Sequence, residues 1–477
     1  TGGGKTLGGF LPSLIDLSLN GSSGTLHTLY ISPLKALATD IARNLVRPVE
    51  EMGLAVRIET RTGDTPQNRR QRQRTHPPDL LLTTPESLAL LLSYPDAASY
   101  FTNLKCIILD ELHALAESKR GALLALGLAR LRTLAPAARF VGLSATVALP
   151  DRLQRYLAPD PATVAIVRGE PGAAPEVGLL LPRGEMPWAG HIALYAAPDL
   201  YRLIDEHQVS LIFVNTRAQA ELVFGALWRL NRANLPIALH HGSLAIEQRR
   251  KVEAGMAAGL LRAVVCTSSL DLGIDWGDID LVINVGAPKG SSRLMQRIGR
   301  ANHRLDEPSR AVLVPANRFE VLECTVAIDA VAENAQDTPP LRTGALDVLA
   351  QHVLGCACGE PFLADELYAE VVTSAMYASL TRTDFDDIID FVATGGYALK
   401  AYERFAKIKK DKNGRWRVTH PRFAQGRLST NLIAEGALEA RVAPLAGEVA
   451  ELRGEQHVTA AQSPPVEPTW LSPVRRS

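Results

Sequence analysis

Asp110 and Glu111 stand side by side at the end of the apolar run in "KCIILDELH", and Lys5 and Thr6 follow three glycines in "TGGGKT". Adjacent carboxylates at a strand end can divide the labour of phosphate hydrolysis, one holding Mg²⁺ while the other orients a water for in-line attack on a γ-phosphate. Gly2, Gly3, Gly4, Lys5 and Thr6 match the end of the pattern G-x-x-x-x-G-K-[ST], in which glycine lets backbone amides turn onto phosphate oxygens. Two acids alone could equally open a solvated helix, where they suit the helix dipole. Their place after the strongest apolar run of the first half, downstream of a Gly-Lys-Thr loop, selects the phosphate chemistry. The first glycine of the pattern would precede Thr1, and so would the strand that feeds such a loop, so the chain reads as a fragment and a poor ATPase as it stands.

Two further clusters fit the same chemistry. In "LSATV" the hydroxyls of Ser144 and Thr146 can hydrogen-bond carboxylates beside a metal site, although Ser-Ala-Thr alone is an ordinary strand-end cap. In "LMQRIGRANHR" arginines at a strand-to-helix turn can reach across a cleft to charge on a transferred phosphoryl group. Gln296, Gly299 and Arg300 carry that spacing. The elements that must position these groups are short β-rich runs, each ending in small, polar or charged residues. "LHTLYISP", "LAVRIETRTGD", "DLLLTTPE", "KCIILDELH" and "RFVGLSAT" come first, then "VSLIFVNTR", "PIALHHGS", "RAVVCTSSLDLGID", "DLVINVGAP" and "AVLVPAN". Strands alternating with helices predict parallel sheets, with ligands gathered outside the carboxyl ends of the strands. Two tandem α/β domains follow, joined near residues 170–200.

The ordered series "TGGGKT", "SPLKAL", "RTGDT", "TTPES", "DELH", "SAT", "FVNTRAQAE", "HHGS", "TSSLDLGID" and "QRIGRANHR" resembles a superfamily 2 DExH helicase, most closely the Lhr family in its bacterial ligase-associated branch. The resemblance covers roughly residues 1–423. It implies two RecA-like domains and an ATP-dependent motor moving 3′ to 5′ on single-stranded DNA, unwinding DNA or RNA:DNA duplexes in DNA repair, with ATP and Mg²⁺ as cofactors. By the same resemblance Lys5 and Thr6 contact the phosphates and Mg²⁺, Asp110 binds the metal and Glu111 is the base. His113, Ser144 and Thr146 couple hydrolysis to movement, and Gly273 and Asp275 line the nucleotide cleft. Arg300 is the finger, with Gln296 beside it in the same catalytic motif. Pro33, Lys35, Thr62, Gly63, Thr84 and Pro85 in the first domain, with Thr216, Arg217, His241, Gly242 and Thr267 in the second, lie along the nucleic-acid strand. The last arginine of the wider pattern falls on His303, which leaves a second finger open. DNA ligase and nuclease partners are implied by the same branch.

The expected domains are residues 1–180 and 190–345, both RecA-like, then a winged helix over 346–423 and a weakly ordered tail over 424–477. The winged helix is read from three helix-like runs followed by the basic hairpin "RFAKIKKDKNGRWRVTH", whose Asn413-Gly414 is a turn signal. Lys407, Lys409, Lys410, Arg415 and Trp416 either bind duplex or solubilise this wing. Arg69, Arg70, Arg72 and Arg74 form either a solvated basic loop or a phosphate-tracking surface. His352, Cys356 and Cys358 fit no standard zinc spacing, so no metal is expected there. Lys+Arg and Asp+Glu balance at 51 each, so a polyanionic partner must be met by local patches. Five scattered cysteines suggest reduced thiols and a cytoplasmic location, and no apolar run is long enough to span a membrane. The rival readings are a double-strand translocase that does not separate strands, and an inactive fragment that only binds nucleic acid.

Overall fold

The computed structural model describes residues 5–116, 118–144, 149–169, 173–181, 185–190, 192–271, 279–301, 307–337, 343–395 and 406–420. The first part contains strands β1 (Thr28–Ile31), β2 (Ile58–Arg61), β3 (Leu80–Thr83), β4 (Cys106–Leu109) and β5 (Arg139–Gly142). Around them run helices α1 (Lys5–Asn20), α2 (Lys35–Glu51), α3 (Gln67–Thr75), α4 (Pro85–Leu92), α5 (Ala97–Phe101), α6 (Leu112–Ala116), α7 (Lys119–Leu134) and α8 (Pro150–Leu157). The strands form one parallel sheet in the order β2-β3-β1-β4-β5. β1, β3 and β4 are buried along their whole length, which is why they read as continuous apolar runs rather than as alternating ones.

The second part contains β6 (Glu176–Leu179), β7 (Ser210–Val214), β8 (Ile237–His240), β9 (Ala263–Cys266), β10 (Leu281–Val285) and β11 (Arg310–Val314). Its helices are α9 (Ala197–Glu206), α10 (Arg217–Leu230), α11 (Ile246–Ala257), α12 (Ser291–Ile298) and α13 (Arg318–Ala332). These strands form a second parallel sheet, β6-β11-β10-β7-β9-β8, with apolar clusters on both faces. One boundary differs from expectation: β6 pairs with β11, so residues 176–179 belong with the second sheet and not with a first domain running to 180. Backbone pairing decides membership there, and a run as short as "EVGL" carries little sign of its partner.

Register is what turns the sequence motifs into sites. Arg61, Thr83, Ile31, Leu109 and Gly142, the last residues of the five strands of the first sheet, lie level with one another across it. Every motif that follows one of these strands therefore leaves from one rim. In the second sheet Val285 is level with Val214 and Val314, and Cys266 with Phe213 and His240, so that rim is shared in the same way.

The third part comprises α14 (Leu346–Gly359), α15 (Ala364–Val371), α16 (Arg382–Thr394) and the antiparallel hairpin β12 (Ile408–Lys410) with β13 (Trp416–Val418). Gly414 takes φ +76°, the left-handed turn conformation that glycine adopts without steric cost, and Asp411 accepts the amides of Asn413 and Arg415 to close the turn. This winged helix does not stand apart. Val348, Leu349 and Val353 of α14 share one apolar core with Leu88 of α4 and Leu123 and Leu126 of α7. The ion pairs Lys119 to Asp347 (2.6 Å) and Arg130 to Glu370 (3.1 Å) flank the joint. Helix α7 is apolar nearly all round because it is covered on the sheet side and on the winged-helix side at once. The expected tail, 424–477, lies outside the described residues.

Candidate active site and nucleic-acid interface

At the end of β4 the Asp110 amide still donates to Ile31 O (2.9 Å), continuing the ladder that fixes its position. Its carboxylate is held at both oxygens: Oδ1 accepts the Glu111 amide (2.9 Å) and Oδ2 accepts the hydroxyl of Tyr30 on the neighbouring strand. Burial pushes the Asp110 carboxyl above its ordinary pKa, opposed by the Tyr30 hydrogen bond. Glu111 takes φ +47°, a left-handed conformation uncommon for a residue with a side chain, and the chain turns sharply there into α6. Leu112 N then donates to Leu143 O (3.1 Å), tying this turn to the end of β5.

From Glu111 a relay of contacts crosses to the start of α1. Glu111 Oε2 lies 3.3 Å from His113 Nε2, and His113 Nδ1 lies 3.0 Å from Ser144 Oγ. The carbonyl of the same Ser144 accepts from Lys5 Nζ (3.1 Å). Burial lowers the His113 pKa to about 4, and the charges of Lys5 and Arg300 add to that effect. His113 is therefore neutral near pH 7. The adjacent carboxylate favours a proton on Nε2, which leaves Nδ1 to accept from the Ser144 hydroxyl.

Arg300, carried just past the end of α12, belongs to the second sheet but exerts its charge on His113 of the first. It is buried, and its Nη2 donates to the backbone carbonyl of Asp271 (3.2 Å). Its neighbour Arg297 is engaged differently. Arg297 Nε donates to Asp271 Oδ1 (2.9 Å), Nη1 donates to Asn284 Oδ1, and the guanidinium lies over the Phe213 ring at 4.7 Å. Gln296 is half-buried one residue earlier in α12. Gly2, Gly3, Gly4, Thr146, Gly273, Asp275 and His303 lie outside the described residues.

The residues expected along the nucleic-acid strand leave the same two rims. Pro33 precedes Lys35, the first residue of α2, whose Nζ lies 3.4 Å from Asp64 in the loop after β2. Thr62 and Thr84 are buried, and Pro85 opens α4. The Thr62 hydroxyl accepts the Asp64 amide (3.3 Å) and the Thr84 hydroxyl donates to Ser87 Oγ (3.4 Å), so both threonines shape their loops from within. Thr216 caps α10 by accepting the Gln219 amide (3.1 Å). Arg217 is exposed beside exposed Gly242, and a Cβ built on that glycine would stand 4.0 Å from the guanidinium. His241 is buried with Nε2 at 3.3 Å from Glu221, and the Thr267 amide donates to His240 O (3.3 Å).

The four clustered arginines all have intramolecular partners, which argues against a freely phosphate-tracking loop. Arg69 and Arg72 pair with Glu59 (3.2 and 2.8 Å), and Arg74 makes two bonds to Asp96 while lying 3.9 Å over the Tyr94 ring. Arg70 donates to two backbone carbonyls, those of Thr62 and Gly63. His352 and Cys356 touch at 3.5 Å, but burial holds the imidazole down at about 3 and the thiol up at about 12, so both are neutral. Tyr30 and the Arg297–Asp271–Asn284 cluster carry no sign in the sequence, because a tyrosine in an apolar strand and an asparagine in a buried one resemble core positions.

Sequence comparison agrees with this geometry. The DEAD/DEAH box helicase family matches residues 1–154, the helicase conserved C-terminal domain 196–304, and the large helicase-related protein winged helix domain 329–452. The chain belongs to the Lhr family of superfamily 2 helicases. It is 38% identical over 436 residues to the ATP-dependent helicase Lhr-Core protein 2 of Thermococcus barophilus, covering 86% of this chain and 50% of that protein. It is 37% identical to the Lhr helicase/probable uracil glycosylase of Mycolicibacterium smegmatis, over 82% of this chain and 29% of that protein. The solved Mycobacterium smegmatis helicase Lhr bound to ssDNA and AMP-PNP superposes with a TM-score of 0.78 at 35% identity, covering 90% of this chain and 56% of that one. The chain thus spans about half the length of the Lhr-Core relatives it matches. The winged-helix match also continues to residue 452, past residue 423 where the family motifs were expected to end. The match past that point, over part of the segment expected to be a weakly ordered tail, is to the winged-helix family itself.

Proposed function

We propose that this chain carries the motor of an ATP-hydrolysing helicase that moves 3′ to 5′ on single-stranded DNA and opens DNA or RNA:DNA duplexes during repair in the cytoplasm. The observation that carries the reading is the continuous line Lys5, Ser144, His113, Glu111, Asp110 on the rim that also bears the Thr62 and Thr84 loops, with Arg300 of the second sheet within electrostatic reach. Glu111 takes the proton of the attacking water, Lys5 binds the β- and γ-phosphates, and Arg300 neutralises charge that develops on the transferred group. Asp110 and Thr6 are the residues that would hold Mg²⁺. No group of three or more His, Cys, Asp or Glu suited to a metal occurs among the described residues, and one carboxylate with substrate phosphates is the usual mode for this ion. A buried carboxylate whose charged form is disfavoured fits a cation that repays that cost. Once bound, Mg²⁺ supplies charge neutralisation to the phosphate oxygens.

Support for a single-stranded partner comes from the relative whose structure is bound to ssDNA and AMP-PNP, together with the exposed Arg217 beside Gly242. Ligase and nuclease partners, like the ligase-associated branch itself, rest on the motif resemblance. Glu111→Gln should lower ATP turnover by about a hundredfold or more while nucleotide binding persists. Near-normal turnover would overturn the assignment of the base. Duplexes bearing either a 3′ or a 5′ single-stranded tail, compared at fixed salt, test direction. Equal opening from both tails, or opening only from the 5′ tail, rejects 3′-to-5′ movement, and ATP-driven motion along blunt duplex without opening supports the double-strand alternative.

A further inference from the structure

The loop after β2 is folded on itself and then pinned from behind. Thr62 N donates to Thr65 Oγ1 (3.0 Å) and Thr65 N donates to Thr62 O (3.2 Å), which closes a tight turn around Gly63 and Asp64. Arg70, one turn into α3, brings Nη2 to the carbonyl oxygens of Thr62 (3.0 Å) and Gly63 (2.6 Å). Arg61, the last residue of β2 and almost fully buried, returns the contact: its Nη1 donates to the backbone carbonyl of Arg70 (2.8 Å). Strand and helix thus each hold the other's backbone through an arginine.

We propose that Arg70 is a positioning residue for the nucleic-acid strand, acting through the Thr62–Thr65 loop; this rests on the single-strand reading above. Two consecutive carbonyl oxygens drawn to one guanidinium are turned away from the loop's outer side, where they would repel phosphate. The outer side is left with exposed Gly63 and with the Lys35 ammonium, which lies 3.0 Å from where a Cβ on Gly63 would stand. Gly63 keeps that approach open, and Arg70 fixes which backbone groups face it. Arg69, Arg72 and Arg74 do not share this role, being tied to Glu59 and Asp96.

Arg70→Gln, Arg70→Lys and the unsubstituted chain should be compared by amide hydrogen exchange and by single-strand binding across a salt series. In Arg70→Gln, exchange across Thr62–Thr65 should rise by about tenfold or more. Single-strand affinity should fall by about tenfold, with an unchanged slope of log K against log salt. Arg70→Lys, which keeps the charge on a shorter side chain without the planar guanidinium, should fall between. ATP turnover without nucleic acid should stay as it is, which a loss that unfolded the domain would not allow. Unaltered exchange overturns the brace. A slope shallower by about 0.7 shows direct phosphate contact and overturns positioning. Full affinity in Arg70→Gln overturns the Arg70 assignment alone, whereas a chain that fails to bind single strands before any substitution overturns the functional reading with it.

Discussion

Asp110 has both carboxylate oxygens occupied by donors, and one of them, Tyr30, is itself stacked on Phe10 with ring centroids 5.3 Å apart. The phenol thus links the helix that begins with Lys5 to the carboxylate that would meet the metal. Tyr30→Phe keeps the ring and its packing and removes one hydroxyl, so stability should fall by only about 1 kcal/mol. Asp110 would lose the contact that sets its rotamer. The Mg²⁺ concentration for half-maximal ATP hydrolysis should rise severalfold, and a magnesium titration beside a denaturation curve checks both. An unchanged magnesium dependence would leave Tyr30 as core packing only. Spacing singled out candidates: Asp110, Glu111 and Ser144 after apolar runs, Lys5 after three glycines, and Arg300 within an ordered motif. Tyr30 gave no such sign: its partner lies 80 residues away, and sheet register alone brings the two together.

At the scale of elements, α12 is docked by charge buried in an apolar setting. Arg297 and Asp271 are both almost fully covered, with Arg293 Nε a further 3.7 Å from the same carboxylate. Asp271→Ala would leave the Arg297 guanidinium buried with only Asn284 as a side-chain hydrogen-bond partner among the described residues, a loss of about 3–5 kcal/mol. Adding Arg297→Met should recover much of that stability, since the apolar stem remains and the stranded charge is gone. Arg300 hangs from the same loop through the Asp271 carbonyl, so the double variant should regain stability more fully than nucleic-acid-stimulated ATP hydrolysis. Urea unfolding and stimulated turnover measured on the same two variants decide it, and equal recovery of both would show that the network does not place Arg300. The sequence carried the parallel sheets and the winged helix, because buried strands and an Asn-Gly hairpin have local signatures. It did not carry the fate of the arginines, since a basic run is identical on paper whether its charges face water, carboxylates or carbonyls.

For the whole molecule, the consequential feature is the shared core between the winged helix and the first sheet. Leu349 is fully buried in it, so Leu349→Ala should cost about 2–5 kcal/mol and lower the unfolding midpoint of both parts together. Separate movement of the two transitions would show that the parts fold independently. His352 of α14 adds a pH dependence to this joint. It is half-buried on the lining of a cavity between α14, α4 and α7, where burial, aided by the Arg130 charge, holds its pKa down to about 3. An unfolded histidine titrates near 6.5, so between about pH 6.5 and 3 the unfolded chain binds a proton that the folded chain refuses. Stability contributed by neutral His352 is therefore complete above that window and is lost as pH falls through it, by up to about 1.4 kcal/mol per pH unit. Below about pH 3 both states are protonated and this contribution stops changing. His352→Gln fills similar space without titrating. Its stability should fall less steeply than that of the unsubstituted protein across pH 6 to 4, with parallel curves above pH 7. Because the core is common, a fluorescence reporter in the first sheet should register the difference as strongly as one in the winged helix. Parallel curves throughout the acid range would mean that His352 gains solvent or a counter-charge before the joint opens.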